Sequence, residues 1–118
     1  MRTQHAFLNW SLRVSAVLTI LISVPSLRAA DLPEGVMKVE ALLQNKAYTD
    51  AAKAAAEHAK SGKEALDYAA YLEGLALFRD AKHADAERRL EQFEKRHPKS
   101  VWLRKARFLR ARAAIEQK

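Results

Sequence analysis

The chain has 118 residues, no cysteine, and a formal net charge of +7 from 21 Lys and Arg against 14 Asp and Glu. The missing cysteine excludes disulfides, thiolate metal sites and lipid attachment at a cysteine. The charge is uneven: residues 31–98 carry 11 basic and 13 acidic side chains, whereas residues 99–118 carry seven and one. The basic character therefore belongs to the last helix.

Residues 1–30 form a segment apart. Arg2 and Arg13 flank a polar start, an apolar run of 11 residues follows from Val14 to Val24, Pro25 closes it, and Ala29 and Ala30 precede Asp31, the first acid. A basic start, short apolar core and small-residue exit are the parts of a secretory signal peptide. A membrane-spanning helix needs roughly 20 apolar residues, so the expectation is a removed signal, with a retained inner-membrane anchor as the alternative. The exit is imperfect: cleavage after Ala29 puts Leu27, and after Ala30 puts Arg28, at the third position upstream. The expected location is a periplasm or the cell exterior.

Residues 31–118 read as one small all-α domain of about five helices, rich in Ala, Leu, Lys, Glu and Arg, which are good helix formers. The first helix is predicted over Pro33–Asn45, with Pro33 suited to a first turn. The second runs over Thr49–Lys60 and ends at Ser61-Gly62, a C-cap signal. The third covers Lys63–Arg79. The fourth covers Ala84–His97 and stops at Pro98, which disfavours helix in the residue before it. Ser100 is the expected N-cap of a fifth helix reaching Gln117.

The second and fourth helices belong to a repeat. Asn45–Gly62 recurs in outline as Asp80–His97, 35 residues later, with Tyr48 on His83, Asp50 on Asp85, Ala51 on Ala86 and Lys60 on Lys95. A period of this length marks stacked helical hairpins, which present a surface. Ala86, Leu90 and Phe93 form one apolar stripe on the fourth helix. Gly74 inside the third helix costs roughly 1 kcal/mol against alanine, a cost understandable where a neighbouring helix crosses close by; the alternative is that Gly74 is merely tolerated.

From Asp67 to Pro98 the chain resembles a tetratricopeptide repeat: Gly74, Ala86 and Pro98 stand where that motif wants a small residue, an alanine and a proline, and Leu77 and Leu90 fill its large apolar positions. Ala70, where the motif has tryptophan, and Phe93, where it has a small residue, depart from it. Residues 32–66 match weakly, through Tyr48 and Ala51. The junction Arg96-His97-Pro98-Lys99-Ser100-Val101-Trp102 is similar to junctions in periplasmic repeat proteins of cell-envelope assembly and division. The resemblance implies antiparallel helix pairs in a right-handed superhelix whose concave face takes peptides or proteins, with no catalysis and no cofactor.

The fifth helix carries two apolar faces. Trp102, Ala106, Leu109 and Ala113 form one, able to dock on the preceding hairpin. Val101, Phe108 and Ile115 form a second, bordered by Lys105 and Arg112 on one side and Arg104 and Arg107 on the other. Aromatic and aliphatic anchors with an arginine rim suit a protein interface or a homo-oligomer contact; the alternatives are packing inside the domain and truncation of a longer protein. Tyr71 is expected in the core with Phe78, and Tyr68 on a concave binding face with Tyr71 and Leu75. The cations Arg104, Lys105, Arg107, Arg110 and Arg112 share no single stripe, so nucleic acid is not the expected partner; solvated flanks or an anionic envelope surface fit better.

Chemistry is sparse. His58, His83 and His97 show no metal-ligand spacing, and no HExxH, CxxCH or phosphate-binding glycine loop is present. No catalytic residue, metal or cofactor is expected. The leading expectation is a non-catalytic interaction module; the others are a basic protein on anionic envelope surfaces, and a small enzyme or metal-binding bundle.

Overall fold

The computed structural model describes residues 32–118, so the expected signal segment lies outside the described residues. These hold five α-helices and no strand: α1 (Glu34–Gln44), α2 (Tyr48–Ser61), α3 (Leu66–Arg79), α4 (His83–Arg96) and α5 (Leu103–Glu116). Consecutive helices pack against each other, and α3 touches the other four. Among the described residues no helix is long and apolar enough to cross a membrane.

Two boundaries differ from the sequence reading by more than one residue. Lys63–Ala65 lie outside α3, because Ala65 takes left-handed backbone (φ 54°, ψ 38°) that breaks the helix before Leu66. The N-cap of α5 is Trp102, not Ser100. Ser100 still organises that end: its Oγ accepts the Trp102 N–H at 3.1 Å and donates to Asp67 Oδ2 at 2.6 Å, joining the start of α3 to the entry of α5. Gly62 does cap α2, but with extended backbone (φ −73°, ψ 163°). Glycine suits the position through close approach, since a Cβ there would lie 2.6 Å from the His58 carbonyl oxygen and 2.7 Å from its ring.

The two turns inside the hairpins are copies 35 residues apart, as Asn45 and Asp80 both close their helices. Lys46 and Ala81 each sit at φ 60°. The Lys46 N–H reaches the Leu43 carbonyl at 3.1 Å and the Ala47 N–H the Leu42 carbonyl at 2.9 Å; Ala81 to Phe78 and Lys82 to Leu77 repeat both distances. This paired bonding satisfies the last carbonyls of a helix through one left-handed residue, here without glycine in either copy.

Inside the hairpins the same register carries different volumes. A Cβ on Gly74 would come within 2.5 Å of Leu90 Cδ2, so α3 and α4 cross with leucine seated on bare backbone. The matching positions 35 residues earlier are Val39 and Ala55, both fully buried: the large and the small partner have changed helices. Phe93, 1 % exposed, matches His58. The His58 ring lies against Gly35 and Gly62, and its Nε2–H donates to the Glu64 carbonyl at 2.8 Å. One apolar cluster (Leu90, Phe93, Ala106 and Leu109, with Tyr71, Phe78, Trp102 and Leu103 against it) sits among α3, α4 and α5.

Candidate functional site

The buried face of α5 is Ala106, Leu109 and Ala113. These repeat Ala69, Leu72 and Ala76 of α3, 37 residues on, as α3 opens at Leu66 and α5 at Leu103. In this register Phe108 stands for Tyr71, Ala111 for Gly74 and Ile115 for Phe78. On α3 those positions are covered: Tyr71 stacks on Trp102 at 5.5 Å, Leu90 sits on Gly74, and Arg112 lies 5.2 Å over the Phe78 ring. On α5 they are open, with Phe108 67 % and Ile115 65 % exposed, and Val101 before the helix 87 % exposed.

Beside this face lies a groove of about 590 Å³ between α3 and α5. Tyr71, Leu75 and Leu109 contribute apolar surface, Phe108 forms an edge, and Arg104, Lys105 and Arg112 supply positive charge without an acidic lining residue. Lys105 Nζ stands 5.2 Å from the Trp102 ring centroid. Leu75, Lys105 and Leu109 join the groove because α3 and α5 lie side by side, which spacing along either helix alone does not reveal. An apolar floor with a cationic rim is complementary to apolar groups that carry negative charge, and its lining holds no pairing of nucleophile and base.

Tyr68 and Arg107, both expected to meet a partner, are engaged within the domain. Tyr68 stacks on Trp102 at 4.3 Å and donates its hydroxyl to Glu40 Oε1 at 2.6 Å. Burial, then the Glu40 hydrogen bond, hold its pKa far above the ordinary phenol value, so it stays a neutral donor. Tyr71 is also raised, by burial, against a smaller opposing effect from Arg79. Arg107 pairs with Glu94, Nη2 to Oε1 at 2.7 Å, and Arg110 adds a contact at 3.3 Å; the Arg107 hydrogen bond leads in lowering the Glu94 pKa. Arg107 thus ties α5 to α4, while Arg104 and Arg112 face the groove.

Of the residues expected to pack the repeat, Gly74, Ala86, Leu90 and Phe93 are buried and Leu77 is half-buried. Pro98 is exposed and lies just past the end of α4 at Arg96. The sequence reading missed Glu73. Its side chain is only 12 % exposed and meets Arg89 Nε at 3.1 Å, yet desolvation outweighs Arg89 and raises its pKa. Its place among Leu66, Ala70 and Leu77 on one helical side was the available signal. Among the described residues no group of three His, Asp or Glu is placed to hold a metal ion.

Comparison of the chain with protein-family models, with curated proteins and with solved structures gives no match in any of the three.

Proposed function

We propose that residues 31–118 form a non-catalytic, tetratricopeptide-like interaction module, exported to the periplasm or cell envelope, that binds a protein through the open face of α5. The repeated turns 35 residues apart, the small residue of α3 under Leu90, and the side-by-side placement of α3 and α5 support the tetratricopeptide-like reading. One observation carries the binding role: Val101, Phe108 and Ile115, three of the four large hydrophobic residues exposed in the described domain, gather at one end of it. Large apolar side chains left exposed along one helix beside an apolar groove suit an interaction site. Export rests on the signal-like residues 1–30.

Phe108→Asp tests the role. At 67 % exposure the change leaves helicity and melting temperature close to those of the parent chain. A photo-crosslinking residue at position 108, in the full-length chain in intact cells, should give one dominant protein adduct, and Arg104→Asp should lower its yield. A folded, exported monomer that gives no adduct would remove the binding role from this face. Adducts lost at moderate salt and formed with anionic lipid would instead favour attraction to an envelope surface.

A further inference from the structure

A second site lies away from the open face of α5. A cavity of about 240 Å³ opens between α2, α3 and α4, and no residue of α5 lines it. That is about eight water volumes, room for a small organic molecule and not for a helix. Leu66, Ala70 and Phe93 give the cavity apolar walls, while Glu73, Arg89, Gln92 and Arg96 give it charge and hydrogen-bonding groups.

These polar groups are incompletely paired. The Glu73 side chain is 12 % exposed, so its carboxylate has shed most of its water, and Arg89 Nε stands 3.1 Å from Oε1. No hydrogen bond reaches either Glu73 oxygen among the described residues; Arg89 donates instead from Nη1 to Gln92 Oε1, at 3.2 Å. Desolvation therefore outweighs the attraction of Arg89, Arg96 and Lys60 and raises the Glu73 pKa. Arg96 is near enough to act on Glu73, yet it joins no ion pair among the described residues. An underpaired carboxylate on α3 and an unpaired guanidinium on α4 thus share one apolar cavity. A buried polar group left without its partner is costly, so the complementary ligand supplies both missing partners at once.

We infer that this cavity binds a free apolar α-amino acid, its ammonium donating to Glu73, its carboxylate accepting from Arg96, and its side chain lying against Leu66, Ala70 and Phe93. The charges exclude simpler ligands. A plain carboxylate satisfies Arg96 but brings like charge toward Glu73. A plain amine satisfies Glu73 but meets Arg89, Arg96 and Lys60 with nothing to offer them. An α-amino acid is a small molecule that carries both charges and an apolar body within this volume.

The probes are L-leucine, 4-methylpentanoate, which lacks the amine, and 3-methylbutylamine, which lacks the carboxylate. Each is titrated calorimetrically against the full-length chain. Leucine should bind roughly tenfold or more tighter than either analogue. Glu73→Gln should bring leucine down to the level of 4-methylpentanoate, and Arg96→Gln should bring it down to that of 3-methylbutylamine, with helicity retained in both. Three results would each overturn the amino acid site: no binding of leucine by the folded chain, binding of 4-methylpentanoate as tight as that of leucine, or leucine binding unchanged in both variants. Leucine binding needs no partner protein, and cross-linking at position 108 needs no amino acid, so this site and the α5 interface can fail independently.

Discussion

The first hairpin, α1–α2, and the second, α3–α4, share turn geometry and register but not their cores. At matched positions the first holds Val39, Ala55 and His58, and the second Gly74, Leu90 and Phe93. The turns are fixed by local backbone bonding, which many side chains satisfy. The crossing is fixed by summed volume, so a large and a small residue can change helices without moving the backbone. What recurs is the summed volume of the matched pair, and a residue-by-residue comparison undervalues the first hairpin for that reason.

Removing the largest buried ring tests where the stability lies. Phe93→Ala should cost about 3–5 kcal/mol in urea unfolding, because Phe93 joins α4 to the cluster beneath α5. His58→Ala should cost about 1 kcal/mol, the net worth of one hydrogen bond. Equal costs would break the asymmetry between the hairpins.

The exchange of volumes gives the next effect. Gly74→Val alone forces its side chain into Leu90 and should cost about 1–3 kcal/mol. Leu90→Ala alone should cost about 2–5 kcal/mol. Together they rebuild the Val39 and Ala55 arrangement, so the double variant should be more stable than the sum of the two losses. Strict additivity in this double-mutant cycle would show that the two positions do not compensate.

The turns should respond alike. Lys46 and Ala81 hold the left-handed conformation at φ 60°, which is unfavourable for a residue with a Cβ. Lys46→Gly and Ala81→Gly should each raise stability by about 0.5–1 kcal/mol, and the gains should add in thermal unfolding. A gain at one turn and a loss at the other would end their equivalence.

The smallest effect is a pH dependence between the two hairpins' shared edge and α5. Glu73 has a raised pKa in the fold, so its contribution to stability is fully present below the unfolded carboxylate value and is lost as pH rises through the raised value. Glu73→Gln, which resembles the protonated acid, should therefore stabilise the domain at neutral pH and not below about pH 4. Glu94, lowered by Arg107, has the opposite sign: its contribution is present above the unfolded value and is lost as pH falls through the lowered one. Glu94→Gln should destabilise at neutral pH, and that difference should vanish in acid. Both are read from urea midpoints across pH.

The helices were legible because Ala, Leu, Glu, Lys and Arg favour them and because apolar residues recur at helical spacing. Ala86, Leu90 and Phe93 could be placed on one stripe from sequence, as could the split of α5 into Ala106, Leu109 and Ala113 against Phe108 and Ile115. Tyr68 was not legible as a packed residue, since its partners, Glu40 and Trp102, come from elsewhere in the chain and only docking brings them to it. The engagement of Arg107 was not legible for the same reason: its partner Glu94 comes from α4. The start of α3 was missed because Ala65 adopts left-handed backbone, which alanine rarely does and no local pattern announces.

By itself, then, the sequence determined a helical domain with a 35-residue recurrence, the stripe that α4 buries and the two apolar faces of α5, because helical periodicity and punctuation are properties of neighbouring residues. Only the tertiary structure decided which aromatic rings are engaged, which cations are neutralised and how Gly74 and Leu90 share their space. Those outcomes depend on side chains from separate helices meeting at packing distance, and no spacing along one helix encodes that.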